Sequence, residues 1–576
     1  VVPARRWNSR PWQDWLVTLW PLALSLVLVL PLLVRPGHPL ARDLVFVPRQ
    51  PFTDSTWGLG DVAPRAVPVD SVVAALTHLV DGGVLARLIL PLSLALLGWG
   101  VARLLAPLGR TAQVAGSGFA VWNAFVVERL AMGQWALLLG CAALPWLVDA
   151  AMRYRRDGRR GDLAAAIAWT ALASLTPTGG LFALAGLLAA ATPHLRRLAA
   201  LLGAGLALQA PWLVAALTGP AAAVSDSSGV AAFAPDTESP FGSVVALLGL
   251  GGIWDAGAEP ATRTTWWAPV AALAVVLVLA VGLPALRRVW GGGDLARWCM
   301  LSGVLAAVAL SAATSWGADL MVWLVQTVPG AGLARDTQKL LAPAVVLVAA
   351  AFGACAARIS RALATNDLRW PILLVVALGP VLLLPDATTR TWPTVHPVVF
   401  PADFEATADL LAGHDRELVV TLPWRAYRAF AWGRPGMTSS DPAVRMFDAE
   451  VVTSDSLQVG AVLVPGEGRL AAAVGEALDE GPPAQTLPAL GVSWVVVYPD
   501  DEEAAQLDLS GLEPVRLGEF VELYRVPDAV IPDAPVWGVR RLSVWMAHLA
   551  ALGLALAAAA TRIVARRERD ANGQFM

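Results

Sequence analysis

Apolar stretches of membrane-crossing length recur along most of this chain, and polar residues gather in the gaps between them. The first is WLVTLWPLALSLVLVLPLLV at 15–34. Continuing in this way, the pattern predicts spans near 14–34, 84–106, 111–127, 132–151, 163–177, 180–194, 198–217, 267–286, 296–314, 340–357, 370–385 and 542–562. Each approaches the ~20 residues a helix needs to cross hydrocarbon. Two of them, 163–177 and 180–194, are short and share the tight turn TPTGG at 176–180.

Between 386 and 541 the rhythm changes. Strand-like runs ELVVTLPW (417–424), GVSWVVVYP (491–499) and FVELYRV (520–526) alternate with helix-like ones, DFEATADLLAG (403–413) and RLAAAVGEALDEG (469–481). That alternation reads as a small α/β unit. The fold expected is therefore an α-helical polytopic membrane protein of about twelve transmembrane helices with a small exported α/β domain. Residues 1–385 form the membrane domain, with eleven spans and a first exoplasmic loop at 35–83. The exoplasmic α/β domain covers 386–541, the last span 542–562, and a cytoplasmic tail 563–576.

Composition supports this class. The hydrophobic share is 56% and the charged share 15%, with a mean hydropathy of +0.59, whereas soluble domains carry about a quarter charged residues. The 25 tryptophans suit a chain with many membrane–water interfaces, where amphipathic rings settle. Cys141, Cys299 and Cys355 lie in apolar runs and read as small hydrophobes, not as a disulfide or metal framework. No small-residue cleavage site follows the first apolar run, so a cleaved signal peptide is not expected. The bilayer is an expected partner and nucleic acid is not; protein partners are left open.

The net charge of −3 matters less than where charge falls. With twelve spans, the arginine clusters ARRWNSR, MRYRRDGRRGD (152–162), HLRR (194–197), Arg287 to Arg297, Arg358 to Arg369 and ARRERD all land on one side. The positive-inside rule makes that side the cytoplasm, with both termini there, in the plasma membrane. The loop at 35–83, shorter loops at 128–131, 218–266 and 315–339, and the α/β unit then face outward.

Charged groups mark three places on that outer face. The first loop carries Arg42, Asp43, Asp54, Asp61 and Asp70. The run AVWNAFVVER ends on Glu128 and Arg129. The segment VPGAGLARDTQKLLAP (328–343) holds Arg335, Asp336 and Lys339, and Lys339 is the only lysine among 42 basic residues. Cations at the membrane boundary can hold a lipid-linked phosphate whose tail lies in the bilayer, and can stabilise charge building on it. Lysine supplies a compact charge and arginine a bidentate fork. On a helix starting near 335, Arg335 and Lys339 are i and i+4 and share a face. A carboxylate nearby could act as general base on an incoming hydroxyl. Asp43, closest to the first span, is the favoured base, with Asp54 and Asp70 behind it. Arg335, Lys339 and Arg129 are the phosphate-binding candidates, and Glu128, Asp336 and Arg42 supporting ones. The plainer alternatives are an interfacial snorkelling cluster at 335–339, a solvated turn at 128–129, and caps or turns for most of the loop aspartates. No metal ligand set is assigned, and the need for a divalent cation is left open.

At these residues the chain resembles the GT-C class of integral membrane glycosyltransferases, through its many spans, its acidic first exoplasmic loop and its late exported domain. WNAFVVERLAMGQWALLLGCAALPW (122–146) and PGAGLARDTQKLLAP (329–343) are similar to segments of actinobacterial membrane proteins. The second also resembles a segment near the late spans of the large arabinofuranosyltransferases of the mycobacterial cell envelope. The resemblance implies a polyprenyl-phosphate sugar as donor and an envelope glycan or glycolipid as acceptor. It also implies a catalytic acid in the first outer loop, by position Asp43, and phosphate-holding cations at Arg335 and Lys339. Two other functions stay open at this point: a flippase or transporter of lipid-linked sugars, and a non-catalytic assembly subunit of envelope polysaccharide synthesis. Transport predicts charge within the spans, but the spans here are almost free of it.

Overall fold

The computed structural model describes residues 15–190, 194–220, 225–363, 369–414, 417–530 and 538–573. The N-terminal arginines of ARRWNSR and the end of the expected tail lie outside the described residues. The bundle opens with α1 (Trp15–Leu28) and α2 (Gly82–Leu104), then α3 (Arg110–Val121), α4 (Ala124–Ala131), α5 (Trp135–Asp157), α6 (Arg160–Ala173) and α7 (Pro177–Ala189). Next come α8 (Leu195–Ala207) and α9 (Ala210–Thr218), followed by α10 (Trp267–Trp290), α11 (Gly292–Ser311), α12 (Ser315–Thr327), α13 (Ala342–Leu363), α14 (Arg369–Leu383) and α15 (Ala387–Thr394).

The chain is a multi-pass membrane protein. Among the described residues, six helices are long and apolar enough to cross a bilayer, and eight if each of two bent pairs counts as one span. The sequence pattern predicts twelve, and the difference lies partly in short helices, α6 with 14 residues and α7 with 13, and partly in breaks that an apolar count does not register. One bent pair is α8 with α9, turned by 55°, where Pro211 stands in the first turn of α9 and lacks the N–H that would continue the ladder. Asn123 divides α3 from α4: its side chain accepts from the Val126 N–H and donates to the Phe119 carbonyl. Helix α12 occupies part of what reads as the loop 315–339.

α13 is the central helix, packed on α10 and α3 and buried along most of its length. Two glycines permit that approach. A Cβ at Gly282 of α10 would sit 2.2 Å from the Ala351 carbonyl oxygen, and one at Gly353 of α13 2.4 Å from that of Ala112. Small residues at such crossings let membrane helices close to backbone contact.

The two ends of the bundle differ. α5 runs for 23 residues, roughly 35 Å at 1.5 Å per residue. At its C-terminal end Asp149 pairs with Arg103 and Arg153, and Arg153 with Asp162. Asp294 at the start of α11 takes Arg155, Arg156 and Arg297. The first loop and the α/β unit lie at the opposite end.

In that loop β1 (His38–Ala41) and β2 (Leu44–Val45) form a small hairpin, and β1 also pairs with β3 (Pro397–Val398) of the α/β unit. The unit continues with α16 (Ala402–Leu411), β4 (Leu418–Leu422), β5 (Tyr427–Arg428), β6 (Ser439–Ser440), β7 (Glu450–Val452), β8 (Leu457–Val459), β9 (Val462–Val464), α17 (Arg469–Glu480), β10 (Val492–Val497), β11 (Glu513–Leu517) and β12 (Glu522–Arg525). Its five-stranded sheet has the order β11-β12-β10-β4-β7, with β10, β4 and β7 parallel. Alternation along the strands builds two cores. Val419, Trp494 and Val496 face one way with Phe404 of α16, and Val420, Val495 and Val497 the other with Val474 of α17. The chain ends in α18 (Val539–Gly573).

Candidate functional site

The first loop and the α/β unit are interlocked. Ser55 donates through its N–H and hydroxyl to Glu450, Asp61 accepts from the Leu470 N–H at the start of α17, and Asp70 pairs with Arg445 at 3.3 Å. Between β1 and β2 the backbone turns through Arg42, a non-glycine residue at φ +52°. The Arg42 N–H donates to the Thr438 carbonyl, and its own carbonyl accepts from Ser440 in β6. A left-handed conformation at arginine needs such outside support, and the α/β unit provides it. The turn delivers Asp43.

Asp43 sits between the two parts of the molecule. From β5 of the α/β unit comes Tyr427, whose hydroxyl donates to Oδ1 of Asp43. From the membrane domain comes Gln134, also hydrogen-bonded to the carboxylate, and Arg445 and Arg42 lie within electrostatic reach. Burial raises the Asp43 pKa and outweighs the lowering from Tyr427, Arg445, Gln134 and Arg42. Burial, and then the charge of Asp43, hold the Tyr427 phenol well above its ordinary value, so it remains a proton donor in this contact.

Gln134 leads inward. Its Oε1 accepts from Nη1 of Arg129 at 2.7 Å. Arg129 is wholly buried, lies over the Phe125 ring at 5.7 Å, and grips Asp336 with both terminal nitrogens, Nη2 reaching Oδ1 at 2.8 Å. Its Nε donates to Gln338 at 2.8 Å, and the Gln338 amide donates onward to Glu128 at 3.1 Å. A fully buried guanidinium needs this complete set of acceptors. Burial raises the Asp336 pKa, but Arg129 beside it prevails and holds the carboxyl below its ordinary value.

Lys339 stands next to this knot, within electrostatic reach of Asp336 and Arg129. Its side chain makes no ion pair within 4.0 Å among the described residues. The segment 331–341 is not the α-helix expected from residue 335. Two short 3-10 turns cover Ala331–Ala334 and Thr337–Leu341, and the α-helix begins at Ala342. Asp336, at ψ +84°, breaks the ladder between them. Arg335 and Lys339 therefore do not share a helical face. Arg335 turns to Glu467 of the α/β unit at 3.1 Å and lies over the Phe233 ring at 5.5 Å. Arg65, from the first loop, pairs with the other Glu467 oxygen at 2.7 Å and reaches Lys339, Arg335 and Tyr427 electrostatically.

Of the sequence candidates, Asp43, Arg129, Asp336 and Lys339 fall into one neighbourhood, with Glu128 behind Gln338. Arg42 is drawn to Asp255 at 2.5 Å, and Arg335 to Glu467. Asp70 braces Arg445. Asp54 pairs with Arg541 at the start of α18. Among the described residues no group of three or more His, Cys, Asp or Glu side chains is arranged to hold a metal ion. Sequence reasoning missed Tyr427, Gln134, Gln338, Arg445, Arg65 and Glu467. Gln134 and Gln338 lay inside quoted segments, and Tyr427 is one of only four tyrosines in the chain.

A carboxyl held at a raised pKa, an unpaired ammonium and a cluster of fixed guanidinium groups at one end of a membrane bundle form a site suited to an anionic substrate reacting with a hydroxyl.

Comparison with solved structures finds the arabinofuranosyltransferase AftD from Mycobacteria, determined by single-particle cryo-EM, with a TM-score of 0.52 and 19% identity. The fold is similar to that of an arabinofuranosyltransferase. The match covers 90% of this chain and 42% of AftD, so the chain spans less than half the length of that protein. At this identity the likeness concerns the fold. No family model and no curated protein matches the sequence.

Proposed function

We propose that this protein is a membrane glycosyltransferase of the GT-C type. It takes a sugar from a polyprenyl phosphate and adds it, with inversion, to an envelope glycan or glycolipid on the outer face of the plasma membrane. Asp43 removes the acceptor hydroxyl proton as that oxygen attacks the anomeric carbon. The bond from that carbon to the phosphate oxygen breaks, and Lys339, backed by Arg129, stabilises the charge left on the lipid phosphate. Asp336, Gln338 and Glu128 hold Arg129 in place, and Arg335 and Arg65 extend the positive surface towards the α/β unit, which positions the acceptor.

The observation that carries this reading is the link from Asp43 through Gln134 and Arg129 to Asp336, beside an ammonium without an ion-pair partner. The fold likeness to AftD supports the reaction class. The outward location of the site is supported by the arginine-rich opposite end of the bundle. Charge concentrated at the bundle ends favours surface chemistry over transport.

The test uses the full chain in lipid nanodiscs, supplied with synthetic polyprenyl-phosphate sugars and short envelope-glycan acceptors. Asp43→Asn and Lys339→Ala should each abolish product while leaving the fold intact by thermal melting. A scaffold subunit would tolerate both, and undiminished complementation of a deletion strain by both variants would end the proposal.

A further inference from the structure

Helix α12 has three different faces. It runs from Ser315 to Thr327, 13 residues or roughly 20 Å, too short to cross hydrocarbon of about 30 Å. At 3.6 residues per turn, Gly317, Met321 and Val325 form one stripe, buried in the protein. Met321 and Val325 pack with Val230, Ala331 and Ala334. Trp316, Leu320 and Trp323 form a second stripe and are 64%, 48% and 56% exposed. Thr327 extends it, its hydroxyl donating to the Trp323 carbonyl of the same helix. Ser315, Asp319 and Gln326, also exposed, form a third stripe, about a quarter turn from the second. A helix wholly in water has no use for two bare tryptophans beside a leucine, and one wholly in lipid has none for an aspartate.

We infer that α12 lies along the membrane surface, with Trp316, Leu320 and Trp323 in lipid and Asp319 and Gln326 turned to water. Its place in the chain fixes the level. α11 starts at the arginine-rich end of the bundle, where Asp294 holds Arg155 and Arg156. Its 20 residues rise about 30 Å, the thickness of the hydrocarbon. Only Ala312, Ala313 and Thr314 separate it from α12. The Thr314 hydroxyl caps α12 by accepting from the Gly317 N–H, so the turn comes at the far headgroup level. Met300 and Val304 of α11 are exposed on a helix of membrane-crossing length, so lipid already lies against the helix that leads into α12. Tryptophans settle at this level, and a surface helix buries its apolar face about 5–10 Å into the headgroup boundary. Lys339 is tied to this helix. α12 leads through Val328, Pro329 and Gly330 into the 3-10 turns that carry Arg335 and Lys339, and Ala331 and Ala334 pack on its buried stripe. An anchored α12 therefore holds those cations at the depth of a lipid phosphate. The position of α12 does not depend on the transfer reaction.

Spin labelling of the full chain in nanodiscs of phosphatidylcholine and phosphatidylglycerol tests this placement. Cys141, Cys299 and Cys355 are replaced by alanine, and one nitroxide is attached at Leu320→Cys or at Gln326→Cys. The label at 320 should favour collision with oxygen, which concentrates in lipid, over a water-soluble nickel chelate. That preference should exceed the one at 326 by roughly fivefold or more, as expected for a helix half-sunk at the boundary. Equal preferences at the two positions overturn the proposal, whether both labels sit in water or both in hydrocarbon. So does a label at 320 that neither reagent reaches, since another protein surface then covers the stripe. If the cysteine-free chain does not accumulate, benzoylphenylalanine at 320 in the otherwise native chain should crosslink to lipid on illumination, and at 326 it should not. Crosslinking from 320 to a second copy of the chain, or to nothing, overturns the proposal.

Discussion

The hydroxyl of Tyr427 donates a hydrogen bond to Oδ1 of Asp43 across 384 positions of sequence. One partner belongs to a turn of the first loop and the other to β5 of the α/β unit, so the candidate base is completed only when the α/β unit docks. The bond favours the carboxylate form and opposes the effect of burial. Removing it in Tyr427→Phe should therefore raise the Asp43 pKa further. The acid limb of the kcat/KM profile should move to higher pH, and activity at neutral pH should fall by less than the roughly 10²- to 10⁴-fold that a whole general base contributes. A purely structural role would lower activity without moving that limb.

Asp43 itself has a stability signature of the opposite kind. Its pKa is raised in the folded state by burial, so the folded protein binds the Asp43 proton more tightly than the unfolded chain does. Stability then falls as pH rises from the ordinary carboxylate range through the folded pKa. Asp43→Asn cannot ionise and escapes that loss. Its melting temperature relative to wild type should rise as pH is raised from 4 to 8, even as activity disappears. A difference independent of pH would show that Asp43 is not held as described.

Much of this was legible in the residues, and the exceptions have physical causes. The apolar runs located the long helices, and short strand-like runs located β4, β10 and β12, because buried segments leave an apolar trace. Asp43, Arg129, Asp336 and Lys339 were recognisable because charges beside apolar runs are costly and uncommon. The breaks at Asn123 and Pro211 escaped notice because a polar cap or one proline hardly changes an apolar average. The α-helical face expected for Arg335 and Lys339 failed because Asp336, held by Arg129, turns the backbone into two 3-10 segments. Tyr427, Gln134 and Glu467 could not be foreseen, since their roles come from tertiary docking.

Asp54 offers a contrast to the site. It pairs with Arg541, and the two side chains are 35% and 19% exposed. A partly solvated pair of this kind contributes about 0.2–1 kcal/mol. Asp54→Ala should lower stability by no more than that and leave transfer within twofold of wild type. Loss of product with an unchanged melting temperature would instead return Asp54 to the list of bases.

Arg129 is expected to fail in a different way. It is fully buried and satisfies Gln134, Asp336 and Gln338 together, so Arg129→Met leaves a buried carboxylate without its cation. Breaking such a pair typically costs about 3–5 kcal/mol. The variant should unfold at markedly lower temperature or fail to accumulate. Arg129→Met/Asp336→Leu, which removes both charges, should recover much of the stability but no transfer. If the single variant is as stable as wild type, the buried network is not the support of the site.

Lys339 separates charge from geometry. Its ammonium has no ion-pair partner within 4.0 Å among the described residues, so Lys339→Met breaks no internal salt bridge and should melt within a degree or two of wild type. Loss of one preorganised donor to developing charge typically costs about 10²- to 10³-fold in kcat, and the effect should fall mainly on kcat if the contact strengthens as the phosphate departs. Lys339→Arg keeps the charge but replaces a compact ammonium with a planar fork, and should recover part of the rate. An increase in KM alone, with kcat unchanged, would assign Lys339 to donor binding and remove it from the bond-breaking step.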